Sequence, residues 1–167
     1  MKKFLLATVL FVGAAVSGFA QSKDKVSVGV EAGIPVGNAS NGYNFAIGGS
    51  LKYDHPIAAS TSLTLSAGYT SFLGKTVTYP IVGAVKTPAA GFIPVKAGIK
   101  YFFAPAFYGE AQLGAAFSTQ SGGGTAFAYS PGVGYKFSDL VDLGVRYEAW
   151  SNNGTVSQVA ARLGFSF

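Results

Sequence analysis

From Lys25 to the final Phe167, apolar residues alternate with polar or small ones at a period of two. That is the repeat of a strand with two different faces, not the 3.6-residue repeat of a helix. The alternation falls into eight stretches separated by clusters of Gly, Asn, Pro and Ser: 25–33, 43–53, 62–72, 92–103, 106–118, 126–137, 141–150 and 155–167. None contains an apolar run long enough to cross a bilayer as a helix. The 23 glycines would be costly inside helices. The fold class is therefore all-β and antiparallel, with eight strands in one domain.

The two faces differ in chemistry. One carries Val26, Val28 and Val30, then Leu63, Leu65 and Tyr69, and ends with Leu163, Phe165 and Phe167; no charge falls on it. The other holds seven basic residues (Lys25, Lys52, Lys96, Lys100, Lys136, Arg146, Arg162) against four acidic ones (Glu31, Glu110, Asp142, Glu148). Glycine, alanine and serine fill the positions between them. An eight-stranded barrel has an interior only wide enough for side chains to fill it. The apolar face has too many Phe and Tyr residues for that space, and the charged face fits it. Only 11% of the chain is charged and 14% is aromatic, as befits a chain whose outer surface meets lipid.

The aromatics are also sorted along the strands. Tyr53, Tyr101, Phe103, Phe107, Tyr135, Phe137, Phe165 and Phe167 fall at one rim, and Tyr43, Phe45, Tyr69, Phe117, Phe127, Tyr129 and Tyr147 at the other. Aliphatic residues lie between them. Girdles of this kind suit the two interfaces of a bilayer. Connections 54–61, 104–105 and 138–140 are mostly short, and 34–42, 73–91, 119–125 and 151–154 are longer on average. The short set is expected on the periplasmic side. Pro131 predicts a bulge in the sixth strand, because proline cannot donate to a ladder.

Residues 1–20 read as a cleaved signal peptide: Met1-Lys2-Lys3, an apolar run from Phe4 to Val16, then small residues up to Ala20. The barrel domain would then be 21–167. The sequence has no cysteine, which excludes disulfides, thiolate metal sites and a cysteine-borne lipid anchor. The formal charge of +5 is scattered, without the clustered basic footprint of a nucleic-acid binder.

On this pattern, and on its last strand Ala161-Arg162-Leu163-Gly164-Phe165-Ser166-Phe167, the chain resembles the small eight-stranded outer-membrane barrels of the outer-membrane protein X and outer-membrane protein A transmembrane-domain type. The resemblance covers the whole of 21–167 and is one of pattern, without a diagnostic motif. It implies residence in the outer membrane among lipid and lipopolysaccharide. It also implies recognition of Phe165 and Phe167 by the barrel-assembly machinery.

Glu110, Lys136, Asp142, Arg146, Glu148 and Arg162 are the candidate lumen charge network. Unpaired charges in so narrow a space would be very costly, so pairing into a plug is expected. The basic excess leaves an anion-preferring narrow pore as the alternative. A secreted soluble barrel or two-sheet sandwich with its aromatic face inside, binding an apolar ligand, is the second. No cofactor or metal site is predicted, and no enzyme. The only histidine lies in Asp54-His55-Pro56, read as a turn on the periplasmic side, away from any lipid substrate. Ser121-Gly122-Gly123-Gly124 lacks the lysine and helix of a phosphate loop. The 73–91 loop, with Val77, Tyr79, Ile81, Val82 and Val85, is expected to extend strands beyond the membrane and offer an edge to a surface partner.

Overall fold

The computed structural model describes residues 24–79 and 83–167, so the leader expected at 1–20 lies outside the described residues, as do Ile81 and Val82. The elements run in the order β1 (Lys25–Val36), α1 (Ala39–Gly42, a single turn), β2 (Tyr43–Ala58), β3 (Thr61–Gly74), β4 (Thr76–Tyr79), β5 (Gly83–Lys86), β6 (Ala90–Phe102), β7 (Phe107–Ser118), β8 (Thr125–Lys136), β9 (Val141–Ser151) and β10 (Thr155–Ser166). Eight strands close into a barrel in the order β1-β10-β9-β8-β7-β6-β3-β2, every pair antiparallel. Closure leaves no free edge, which a bilayer demands because it offers backbone groups no water. β4 and β5 form a separate ribbon. Their pairing of Thr76 with Lys86 keeps the register that pairs Phe72 with Ala90, so the ribbon prolongs the β3–β6 hairpin beyond the barrel.

The apolar face is outside. Val30, Ile47, Leu65, Leu113, Val133 and Val145 are all exposed on the barrel wall. The girdles lie at the two ends: Phe107 and Tyr135 pack edge to face at 4.7 Å at the short-turn end, and Tyr129 and Tyr147 meet at 6.2 Å at the long-loop end. The soluble alternative, which needed an aromatic interior, is overturned by this arrangement.

Three expectations change. Asp54-His55-Pro56 is strand, pairing with Thr64, Leu63 and Ser62, and the turn shrinks to Ala59-Ser60. A residue before proline prefers extended backbone, and an irregularity appears only between Pro56 and Ala58. Pro131 makes no bulge. Its register with β7 is continuous, and the ladder to β9 lapses only opposite Ser130 and Pro131 before resuming unshifted at Gly132 and Arg146. Pro94 does the same toward β3. Each proline forfeits a local pairing without adding a residue, so the faces never switch. Tyr43 does leave the girdle. A register shift between Tyr43 and Phe45 turns it to the interior, where it packs on Phe72 at 5.5 Å.

Glycine is required where the β6–β7 ribbon curves most closely. A Cβ on Gly98 would lie 2.0 Å from the Ala111 carbonyl oxygen, and one on Gly114 would lie 2.0 Å from that of Val95. Both obstacles are backbone, which cannot rotate away. Gly98→Ala is expected to destabilise the barrel by about 1–3 kcal/mol, read as a lower urea midpoint for protein folded in detergent micelles.

Candidate functional site

The interior is filled at two levels. The first is ionic. Lys52, Lys96, Lys100, Arg146 and Arg162 face Glu31, Asp54, Glu110, Asp142 and Glu148, five bases against five acids. Glu148, almost completely buried, accepts from Lys96, from Arg146 at 3.5 Å and from Gln158 at 3.1 Å. Arg146 also donates to Glu31 at 2.6 Å, and Ser50 Oγ donates to the other Glu31 oxygen at 2.6 Å. Arg162 lies 3.8 Å from Glu31 and donates to Ser50 and Ser27. A second cluster joins Lys52 to Glu110 at 2.8 Å, and Lys100 to both Asp54 and Glu110. Tyr108 donates to Asp142 at 2.6 Å and lies beneath the Lys100 ammonium, 4.8 Å from the ring centre.

The structure thus brings Arg146 and Glu148 into direct contact and links Arg162 to them through Glu31. It places Glu110 in the neighbouring cluster and Asp142 against Tyr108. Lys136 stands apart: it donates to Asp139 at 2.5 Å in the β8–β9 turn, and Lys25 approaches the same carboxylate at 3.4 Å. The interior therefore has no basic excess. Sequence reasoning missed Asp54 because it ended β2 too early, and it overcounted bases by placing Lys25 and Lys136 inside. Asp54 and His55 are not a dyad: Asp54 turns inward to Lys100, and His55, outside, pairs through Nδ1 with Asp24 at 2.6 Å.

The second level is apolar and was not foreseen. Toward the long loops, Phe72 and Trp150 are buried inside the barrel with ring centres 5.3 Å apart. Phe92 lies 4.7 Å from Trp150. Ala46, Ala90, Ala116, Ala126 and Ala128 line the wall around them. The small alanines leave the volume that the rings fill. The signal was available, since Phe72, Phe92 and Trp150 all have the parity of the charged face.

At the turn, the hydrogen bond from Lys136 holds the Asp139 carboxyl below its usual range, with Lys25 adding to the effect. A depressed carboxylate contributes stability above its unfolded value, and that contribution is lost as pH falls through the folded one. Asp139→Asn should therefore lower stability modestly at neutral pH and converge with the unaltered protein as pH falls below about 4, so that the acid limb of stability against pH flattens.

No protein-family model matches the chain, and no curated protein matches it. Among solved structures, the outer-membrane protein Ail of Yersinia pestis in a phospholipid bilayer nanodisc is similar. It is 16% identical over 87% of this chain and 100% of that one, with a TM-score of 0.59. Ail in complex with the heparin analogue sucrose octasulfate gives 17% identity, 86% and 97% coverage, and 0.57. A chain from the de novo design of transmembrane β-barrels gives 16%, 88% and 98%, and 0.56. The chain has the fold of the small eight-stranded outer-membrane β-barrels, and the likeness extends over nearly all of its described length.

Truncating one member of a buried ion pair costs about 3–5 kcal/mol, whereas replacing both by apolar groups can be nearly neutral. Glu148→Met should fall in the costly class. The double variant Lys96→Met with Glu148→Met should recover more than half of that loss, because Arg146 keeps Glu31. Urea unfolding of the micelle-folded single and double variants measures both.

Proposed function

We propose that this protein is a closed outer-membrane barrel that acts through its outer loops and does not conduct solute. The supporting observation is the self-neutralised interior: five bases against five acids, capped by Phe72, Phe92 and Trp150. An anion path needs an unpaired cation to attract its solute, and each buried base of these clusters already has an acidic or hydrogen-bonding partner. The prolonged β3–β6 hairpin supports a role at the surface, because β4 and β5 present backbone edges that a partner strand can join. Nothing in the arrangement favours catalysis, since the carboxylates are committed to ion pairs and to Tyr108.

In this reading residues 1–20 direct export and are removed, and the long-loop end faces outward. Phe165 and Phe167, exposed on the last strand, serve recognition by the assembly machinery. Expressed in a Gram-negative host, the protein should sediment with outer membranes and shift in gel mobility when heated. Planar bilayers containing it should show no single-channel steps, and Trp150→Ala should show none either, because the ionic level remains. Regular conductance steps from the unaltered protein would reverse the reading in favour of a narrow channel.

A further inference from the structure

The long-loop end of the barrel holds a cup of about 450 Å³, within the range of about 300–1,000 Å³ typical of small-molecule sites. Its floor is aromatic: Trp150, Phe92 and Tyr43 line it. Its rim is amide and hydroxyl, from Asn38, Asn152 and Ser118. Among the described residues no charged one lines it. The three loops around it, 37–42, 119–124 and 152–154, contain only Gly, Asn, Ala, Ser, Thr and Gln. Such a run of neutral loops contrasts with the opposite end, where Asp24, Lys25, His55, Lys136 and Asp139 cluster.

The chemistry of the cup is specific. Aromatic rings offer apolar faces, and carboxamides offer a donor and an acceptor side by side. A pyranose has both counterparts, an apolar C–H face and a ring of paired hydroxyls. The Asn38 and Asn152 amides are exposed, and among the described residues no protein group engages them. The Trp150 indole N–H is buried without an acceptor. Lys75 touches the first of these loops, donating to the Ser40 carbonyl oxygen, but does not line the cup, so a charged glycan gains little here; an acyl chain would strand the polar rim. We propose that the cup binds an uncharged saccharide, one or two pyranose units long, stacked on the aromatic floor and hydrogen-bonded by Asn38 and Asn152.

This deepens the surface-interaction reading and rests on it for the cup facing outward, yet it is tested separately. Trp150 is the only tryptophan and lines the cup, so its emission reports on that end of the barrel. The full-length protein, folded in phosphocholine micelles free of sugar detergents, is titrated with cellobiose, maltose, lactose, mannobiose and chitobiose. At least one should give a saturable change in emission with half-saturation near or below about 1 mM. Asn152→Ala should weaken it about tenfold. Gly154→Phe, which adds a side chain where nothing lies within 4 Å, should abolish it while keeping the heat-dependent gel shift. Sucrose octasulfate and laurate should compete with none of these. If no sugar gives a saturable response, or laurate or sucrose octasulfate saturates the emission instead, the proposal fails. Membrane localisation and the absence of conductance would stand unaffected.

Discussion

The constraint on which this structure depends is that a narrow lumen must neutralise its own charges. An eight-stranded wall leaves no bulk water inside to solvate them, and an isolated buried ion costs several kcal/mol even after relaxation. The ladders bind each strand to its neighbours. Three of the ion pairs bind strands that are not neighbours: Lys96 on β6 reaches Glu148 on β9, Lys52 on β2 reaches Glu110 on β7, and Arg146 on β9 reaches Glu31 on β1. The charges are cross-braces, holding opposite walls at a distance that hydrogen-bonded ladders alone leave free. Glu148 matters most because three donors from three strands, β6, β9 and β10, converge on it.

Period-two alternation made most of this architecture legible before any coordinates. In a strand a single apolar residue at the right parity assigns its neighbours, so Val28, Leu65, Val145 and Leu163 sufficed to place the outer face. The pairing partners were harder to read, because which charge meets which depends on register and on the curvature of the wall. Arg162 looks close to Glu148 on a strand diagram, yet its guanidinium runs to Ser27, Ser50 and Glu31 on the other side. Pro56 and Pro131 depart from expectation in opposite ways: the sequence predicts a turn at one and a bulge at the other. In both cases extended backbone accommodates the ring, and the missing N–H leaves at most a local gap. Phe72, Phe92 and Trp150 were missed because an interior assigned to charge left no place for rings. Parity alone would have put them there.

The interior changes character along its axis. At the short-turn end the vestibule is ionic, and at the long-loop end it is aromatic with neutral amides above. Between them lie the paired charges. They separate the two ends chemically, so neither end needs to match the other. Their pairing also explains why aromatic rings can occupy the upper lumen at all. Once the charges below are paired among themselves, none remains to be stranded against an apolar surface.

The aromatic floor then belongs to two structures at once. Phe72 and Trp150 complete the packing of the upper barrel, where alanines on β2, β6, β7 and β8 surround them, and Trp150 also faces the cup. Replacing either ring leaves a cavity in the barrel as well as altering the cup, so the floor is held fixed by stability. Asn38, Asn152 and Gly154 carry no such obligation: they lie in connections whose backbone can change without breaking a ladder. Any discrimination among ligands at this end must therefore reside in the rim, and affinity common to all of them in the floor. A barrel of this build can change what it binds by exchanging a few loop residues, while the ion pairs and alanines that close it stay as they are.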